Sequence, residues 1–328
     1  MLLGGQMDHT GAFAEVQHKN HSDLCVSRLV QFSISLETGG GIMIIDAHYH
    51  LEERMVPLDA LLAQMNRSSV GRIALIAALQ APFESGVLAE KAALLMRSFL
   101  NSPLHNLGLS LYRTMVTREG NFSMLGRLYP IYDKPDNDNV ARTMRTYPDR
   151  FYGWVAVNPR TADPCAEVGK WAGQPGWIGV KAHPFWHRYP VALLDDVAGY
   201  CSERGLPLLL HLGTDEGQGD FRYLPERHPR LKIVFAHAGV PVYGALWEYA
   251  RDKPNVFVDL SSWTYVGKRE RLGAVKALGV RRCLFGTDGP YLHSDFGQMV
   301  QAIQELPLPD RDKECILAGN FLELTGAT

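Results

Sequence analysis

From residue 42 onward the chain repeats one pattern eight times: a short apolar run, then a longer stretch with apolar residues three and four apart. The runs are "IMIIDAH", "RIALIAAL" (72–79), "FYGWVAVNP" (151–159), "WIGVKAHP" (177–184), "LPLLLHLG" (206–213), "LKIVFAHAG" (231–239), "NVFVDLSS" (255–262) and "RCLFGTDGP" (282–290). They are rich in Val, Ile, Leu and Phe and barely alternate with polar residues. That composition marks strands covered on both faces, and so a parallel sheet. Stretches such as "VALLDDVAGYCSERG" have helical spacing and a Gly stop. Strand and helix alternating eight times predict an α/β chain closed into a (β/α)8 barrel, in preference to an open doubly wound sheet. A length of 328 residues, 46% of them hydrophobic, is enough for one such barrel and its core.

Two segments fall outside the repeat. Residues 80–150, between strands 2 and 3, hold "ESGVLAEKAALLMRSFL" and "NLGLSLYRTMV", both helical by spacing. They predict a helical insertion on the barrel mouth, able to shape a pocket or a contact between copies of the chain. Residues 1–42 show no clear period, and Met43 directly precedes the first strand. They are expected to form a loosely ordered extension to a barrel spanning 43–328, or to derive from an upstream start codon. The balance of 33 basic against 35 acidic residues gives no basis for a nucleic-acid or membrane surface. No apolar run approaches the roughly 18 residues of a membrane span. Five scattered cysteines without a CxxC pair fit reduced thiols and a cytoplasmic location.

The strand ends carry the chemistry. Residues two apart in a strand point the same way, so His48 and His50 of "IIDAHYHL" can converge on one ion. Neutral imidazole is a good ligand for zinc, manganese or iron. Asp46 shares their parity one step deeper and could orient a histidine. Strand 4 offers Lys181 and His183, strand 5 ends at His211, strand 6 at His237, and Asp288 follows strand 8. In a parallel barrel these ends share one rim, where barrel enzymes build their sites. A lone histidine there is usually structural; several with an aspartate point to a metal.

The motifs "IIDAHYHL", "GVKAHP", "LLLHLG", "VFAHAG", "NVFVDLS", "LFGTDGP" and "ILAGNFLEL" together resemble the amidohydrolase superfamily, and within it the amidohydrolase-2 branch. The resemblance covers about residues 43–326 apart from the insertion. It implies the (β/α)8 fold and one or two divalent metals. It implies His48, His50, His211 and Asp288 as ligands. His237 is either a second-metal ligand or a catalytic group. Lys181 is either a carboxylated bridge between two metals or a buried ammonium paired with a carboxylate; the second, with a single ion, is preferred. Lys181, His183 and His237 are thus the candidates for a second metal or for substrate. Zinc is the expected ion, with manganese or iron as alternatives.

The resemblance implies hydrolysis of a small amide, ester or lactone, with metal-activated water, Asp288 as general base and His237 polarising the carbonyl. The alternative is non-oxidative decarboxylation of an aromatic or unsaturated acid, with Asp288 or His237 protonating the carbon. A catalytically silent barrel would be expected to have lost one ligand, and all four are present. Loop residues Trp186, Arg188, Trp263 and Tyr291 are candidate substrate contacts, suiting a flat, anionic molecule. Asp259 is expected to be a hydrogen-bonded structural carboxylate.

Overall fold

A computed structural model describes residues 42–83, 86–291 and 295–328. The extension expected over residues 1–42 lies, Ile42 apart, outside the described residues. Eight parallel strands follow in sequence order, each paired with the next: β1 (Ile45–Leu51), β2 (Arg72–Ala77), β3 (Phe151–Val157), β4 (Trp177–Ala182), β5 (Leu208–Leu210), β6 (Ile233–Phe235), β7 (Val256–Asp259) and β8 (Cys283–Leu284). Every residue of β1, β3 and β4 is buried, as the unbroken apolar runs require. The sheet's two ends meet through the segment after β8. Ala47 donates to the Phe285 carbonyl at 3.0 Å, Asp288 to His48 at 2.7 Å and His50 to Gly289 at 2.6 Å. The result is a (β/α)8 barrel. No described helix is long and apolar enough to cross a membrane.

Local signals set the helix ends. Asp163 caps Pro164–Trp171 by accepting from Cys165 N, and Pro164 fills the first turn. Asp295 caps Phe296–Gln304 through Gln298 N. Gly205, at φ +68°, ends Asp195–Arg204 in the left-handed region that glycine enters freely.

The segment between β2 and β3 is more mixed than its helical spacing predicts. Helices Val87–Leu100 and His105–Arg113 are followed by an antiparallel hairpin, Asn121–Met124 with Arg127–Pro130, and then by helix Asn137–Thr146. Leu125 and Gly126 turn the hairpin, both at positive φ (+49° and +79°). A two-residue turn of that kind usually announces itself as Asn-Gly or Asp-Gly. Leu-Gly gives half the signal, so the hairpin is hard to see in the sequence.

Inside the barrel, Trp154 of β3 is fully buried and its indole N–H donates to the Ala47 carbonyl at 2.9 Å. Gly179 of β4 makes room for it. A Cβ at that position would stand 2.6 Å from the Trp154 ring and 2.5 Å from the Pro207 carbonyl oxygen. Neither the ring nor the strand backbone can retreat cheaply. Gly179→Ala is therefore expected to cost about 1–3 kcal/mol, read as a lower melting temperature in the metal-free protein.

Candidate metal centre and active site

The end of β1 supplies the first two groups. Asp46 fixes them from beneath: its carboxylate accepts from the His48 amide at 2.9 Å and from the Thr287 amide at 3.0 Å, tying β1 to the turn after β8. Asp46 thus holds the backbone of His48. The ring is oriented by a different residue. His48 Nδ1 lies 2.9 Å from Asp259 Oδ2 at the end of β7, and His50 Nδ1 lies 3.4 Å from the Ala77 carbonyl. With Nδ1 donating in each ring, both Nε2 lone pairs are left for an acid or an ion.

Those lone pairs point at Asp288. His48 Nε2 is 3.6 Å and His50 Nε2 3.7 Å from Asp288 Oδ1, and His237 Nε2 is 3.8 Å from Asp288 Oδ2. Tetrahedral ligands at zinc–nitrogen and zinc–oxygen distances stand roughly 3.4 Å apart, so these donors need only a small contraction to share one ion. His48, His50 and Asp288 form one compact donor group, and His48, His237 and Asp259 form another. The donor set fits a divalent metal.

Burial prepares the same groups. It pushes the His50 imidazole down to about 3 and holds those of His48, His183, His211 and His237 well below the usual histidine range. All five are neutral at pH 7. Burial also pushes the Asp288 carboxyl well up, with the Lys181 charge opposing. Lys181 is drawn down to about 8 by burial, against the pull of Asp259 and Asp288. Its Nζ lies 3.4 Å from His48 Nε2, so lysine and metal would compete for one lone pair.

Three short linkers after β6, β7 and β8 carry strained backbone. His237, Ala238, Ser262 and Asp288 have φ of +53°, +54°, +67° and +64°. Such angles are uncommon for residues other than glycine and concentrate at functional sites.

A narrow cavity opens onto these groups. His50, His183, His211, His237 and Asp288 line it together with Phe83, Met115, Phe122, Trp186 and Tyr291. The aromatic wall is continuous: Phe83 stacks on Tyr291 at 5.6 Å between ring centres and meets Phe122 at 5.3 Å. Gln80 also lines the cavity, and its buried amide oxygen has no hydrogen-bond partner among the described residues.

The amidohydrolase family model (Amidohydro_2) matches residues 45–324. The chain belongs to the amidohydrolase-2 family. Members of this family are metal-dependent hydrolases and decarboxylases, and the chain is an enzyme. Solved structures share its fold at low identity. The 5-carboxyvanillate decarboxylase of Sphingomonas paucimobilis matches with a TM-score of 0.56 at 17% identity, over 88% of this chain and 100% of its own. A Pseudomonas putida protein provisionally named a 2-pyrone-4,6-dicarboxylic acid hydrolase matches with a TM-score of 0.57 at 18% identity, over 87% and 98%. A dihydroxybenzoic acid decarboxylase of Polaromonas sp. JS666, solved with manganese and the inhibitor 2-nitroresorcinol, matches at 0.53 and 15%, over 87% and 97%. No curated protein sequence shows significant similarity to the chain.

The fold brings some of the residues singled out in the sequence together and separates others. His48, His50, His237 and Asp288 converge, with Lys181 behind them. His211, expected as a ligand, lines the same cavity beside His237 and is not part of the two compact donor groups. Its Nδ1 is 3.1 Å from His237 Nε2 and its Nε2 is 2.6 Å from the Tyr112 hydroxyl. His183 stacks on His211 at 4.1 Å, and its Nδ1 accepts from the Trp186 amide at 3.1 Å. Trp186 and Tyr291 line the cavity; Arg188 and Trp263 do not. Arg188 adopts a left-handed backbone and donates to the Arg118 carbonyl, and Trp263 lies 38% exposed beneath Arg271. Tyr112, Phe83, Met115 and Phe122 were invisible as site residues because they come from the insertion, whose placement no strand pattern dictates. Gln80 directly follows the second apolar run, so the strand-end rule could have found it.

Two outcomes follow for the metal-free and metal-bound protein. Asp259→Asn keeps an oxygen for the backbone amides but can offer an N–H to His48 Nδ1, moving the ring proton to Nε2. Metal affinity is expected to fall about 10–100-fold with the fold intact, measured by metal titration and circular dichroism. The buried histidines stay neutral in the folded state, while in the unfolded chain they protonate below about 6.5. The unfolded state then binds more protons, so stability falls as pH drops from about 6.5. Asp46, held up to about 7 by burial, and Asp288 work in the opposite sense, but five histidines outnumber two carboxyls. Urea midpoints of metal-free protein should decline from pH 7 to pH 5.

Proposed function

We propose that the chain is a metal-dependent, non-oxidative decarboxylase of a small aromatic or unsaturated carboxylic acid. The observation that carries this reading is the cavity lining: an aromatic wall facing the donor cluster, with no arginine or lysine among the described lining residues. A flat, singly charged acid suits such a space. A substrate with two carboxylates would bring a second negative charge with no fixed cation to meet it. The Polaromonas relative acts by name on a dihydroxybenzoic acid.

A divalent ion held by His48, His50 and Asp288, zinc or manganese, would supply positive charge for the substrate's carboxylate or phenolate oxygen. The side chains do the rest. Phe83, Phe122, Trp186 and Tyr291 hold the ring and exclude water. Gln80 offers its unpaired amide oxygen to a hydroxyl. The bond from ring carbon to carboxylate carbon breaks, carbon dioxide leaves, and the electron pair stays on the ring. Asp288 gives that carbon a proton. His237, 3.8 Å from Asp288 Oδ2, can pass it another, drawn finally from water.

Hydrolysis is the second reading, supported by the same donor set. Asp288 would then accept a proton from water and His237 would polarise the carbonyl. The sequence alone points to hydrolysis first. The aromatic part of the lining favours decarboxylation, because a hydrolase must admit water to the reacting centre and a decarboxylase gains from excluding it.

Metal-loaded protein offered a panel of hydroxybenzoates is expected to release one carbon dioxide per acid consumed, and Asp288→Asn to lower kcat about 10²–10⁴-fold. Cleavage of lactones or amides, with every acid left intact, would overturn the decarboxylase reading in favour of the hydrolase.

A further inference from the structure

Helices Val87–Leu100 and His105–Arg113 present leucines to water. Val87 and Leu88 are each 67% exposed, Leu95 and Leu104 each 54%, Leu107 47% and Leu111 38%. The placement is periodic. Leu88, Ala92, Leu95 and Phe99 recur at i, i+4, i+7 and i+11, and Leu104, Leu107 and Leu111 at i, i+3 and i+7. That is the spacing of a seam by which one helix meets another. The two helices already pack on each other, so closely that a Cβ on Gly108 would lie 2.6 Å from the Leu100 nitrogen. Their inward faces are spent on Met96, Leu100 and Tyr112. The exposed leucines are what remains after that packing.

We propose that the chain forms a two-fold dimer through this face. The area argues for a second copy. At these exposures the six side chains leave roughly 600 Å² of surface in water, the upper end for one apolar patch on a monomer. Two copies face to face would cover roughly 1,200 Å² with these side chains alone, the lower bound of a stable specific interface. Ala92, Phe99 and the surrounding rim add to it. A patch made of aliphatic groups is complementary to itself, because apolar contact has no donor or acceptor to match. Two-fold pairing of one patch with its own copy is also the commonest assembly of a soluble chain.

The pairing reaches the active site. The helix that exposes Leu107 and Leu111 also places the Tyr112 hydroxyl 2.6 Å from His211 Nε2. Its neighbour donates from Arg97 Nη1 to the Trp263 carbonyl at 2.9 Å. Bracing the helix pair from outside braces both contacts.

Light scattering of the full chain at micromolar concentration should give twice the 36.6 kDa of one copy. The variant Leu88→Glu, Leu95→Glu, Leu107→Glu should run at the mass of one copy, with an unchanged circular dichroism spectrum. A monomeric full chain overturns the proposal. A dimer that survives the triple substitution overturns it equally. Should the triple variant misfold, Leu107→Glu alone decides, because burying one leucine is worth about 1.5–3 kcal/mol. Its dissociation constant should rise at least ~10-fold, and an unchanged constant counts against the proposal.

Discussion

The buried carboxylate of Asp259 is the interaction on which the site depends. Fully enclosed at the end of β7, it accepts from the His237 amide and the Ser261 amide, each at 3.0 Å, and from the Ser261 hydroxyl. Its second oxygen meets His48 Nδ1. One side chain therefore joins β1 to the ends of β6 and β7 and decides which nitrogen of His48 faces the metal position. An ionised carboxylate is costly to bury alone and tolerable when every oxygen is engaged. From Asp259 the network continues through Ser261 Oγ to His237 Nδ1 at 2.8 Å, through His237 to His211, and on to Tyr112. Groups from β1, β5, β6 and β7 and one from the insertion thus share a single hydrogen-bonded chain.

Much of this was legible in the sequence, for a physical reason. A strand covered on both faces needs an unbroken apolar run, and eight of them can hardly be mistaken for helices. Their C-terminal ends then locate His48, His50, His237 and Asp288 on one rim without further information. Roles were less legible than places. Asp46 and Asp259 are both carboxylates near strand ends, and only the packing shows that one holds a backbone and the other a ring. His211 occupies the expected strand end, but the insertion brings a tyrosine to its Nε2. Arg188 sits in a promising loop, yet its left-handed backbone carries the guanidinium to Arg118. Side chains whose direction depends on loop conformation cannot be placed by period alone.

The decarboxylase proposal rests on the cavity lining, because the ligands suit either chemistry. Metal donors of this kind serve water activation and carboxylate binding equally well. What differs is the medium each reaction needs. Rings such as Phe83 and Tyr291 would favour the proposed loss of carbon dioxide, because the compact carboxylate is the form that loses most by leaving water.

The left-handed residues at the rim have an evolutionary consequence. Each costs on the order of 1–3 kcal/mol of backbone energy, and Ala238 and Ser262 lack even the mild tolerance of His237 and Asp288 for that region. Glycine at Ala238 or Ser262 would relax the loops and make a hardier protein, at the expense of a rim free to wander. The catalytic mouth is thus a standing debt against thermal endurance, and mutational drift toward robustness would tend to erode the geometry first.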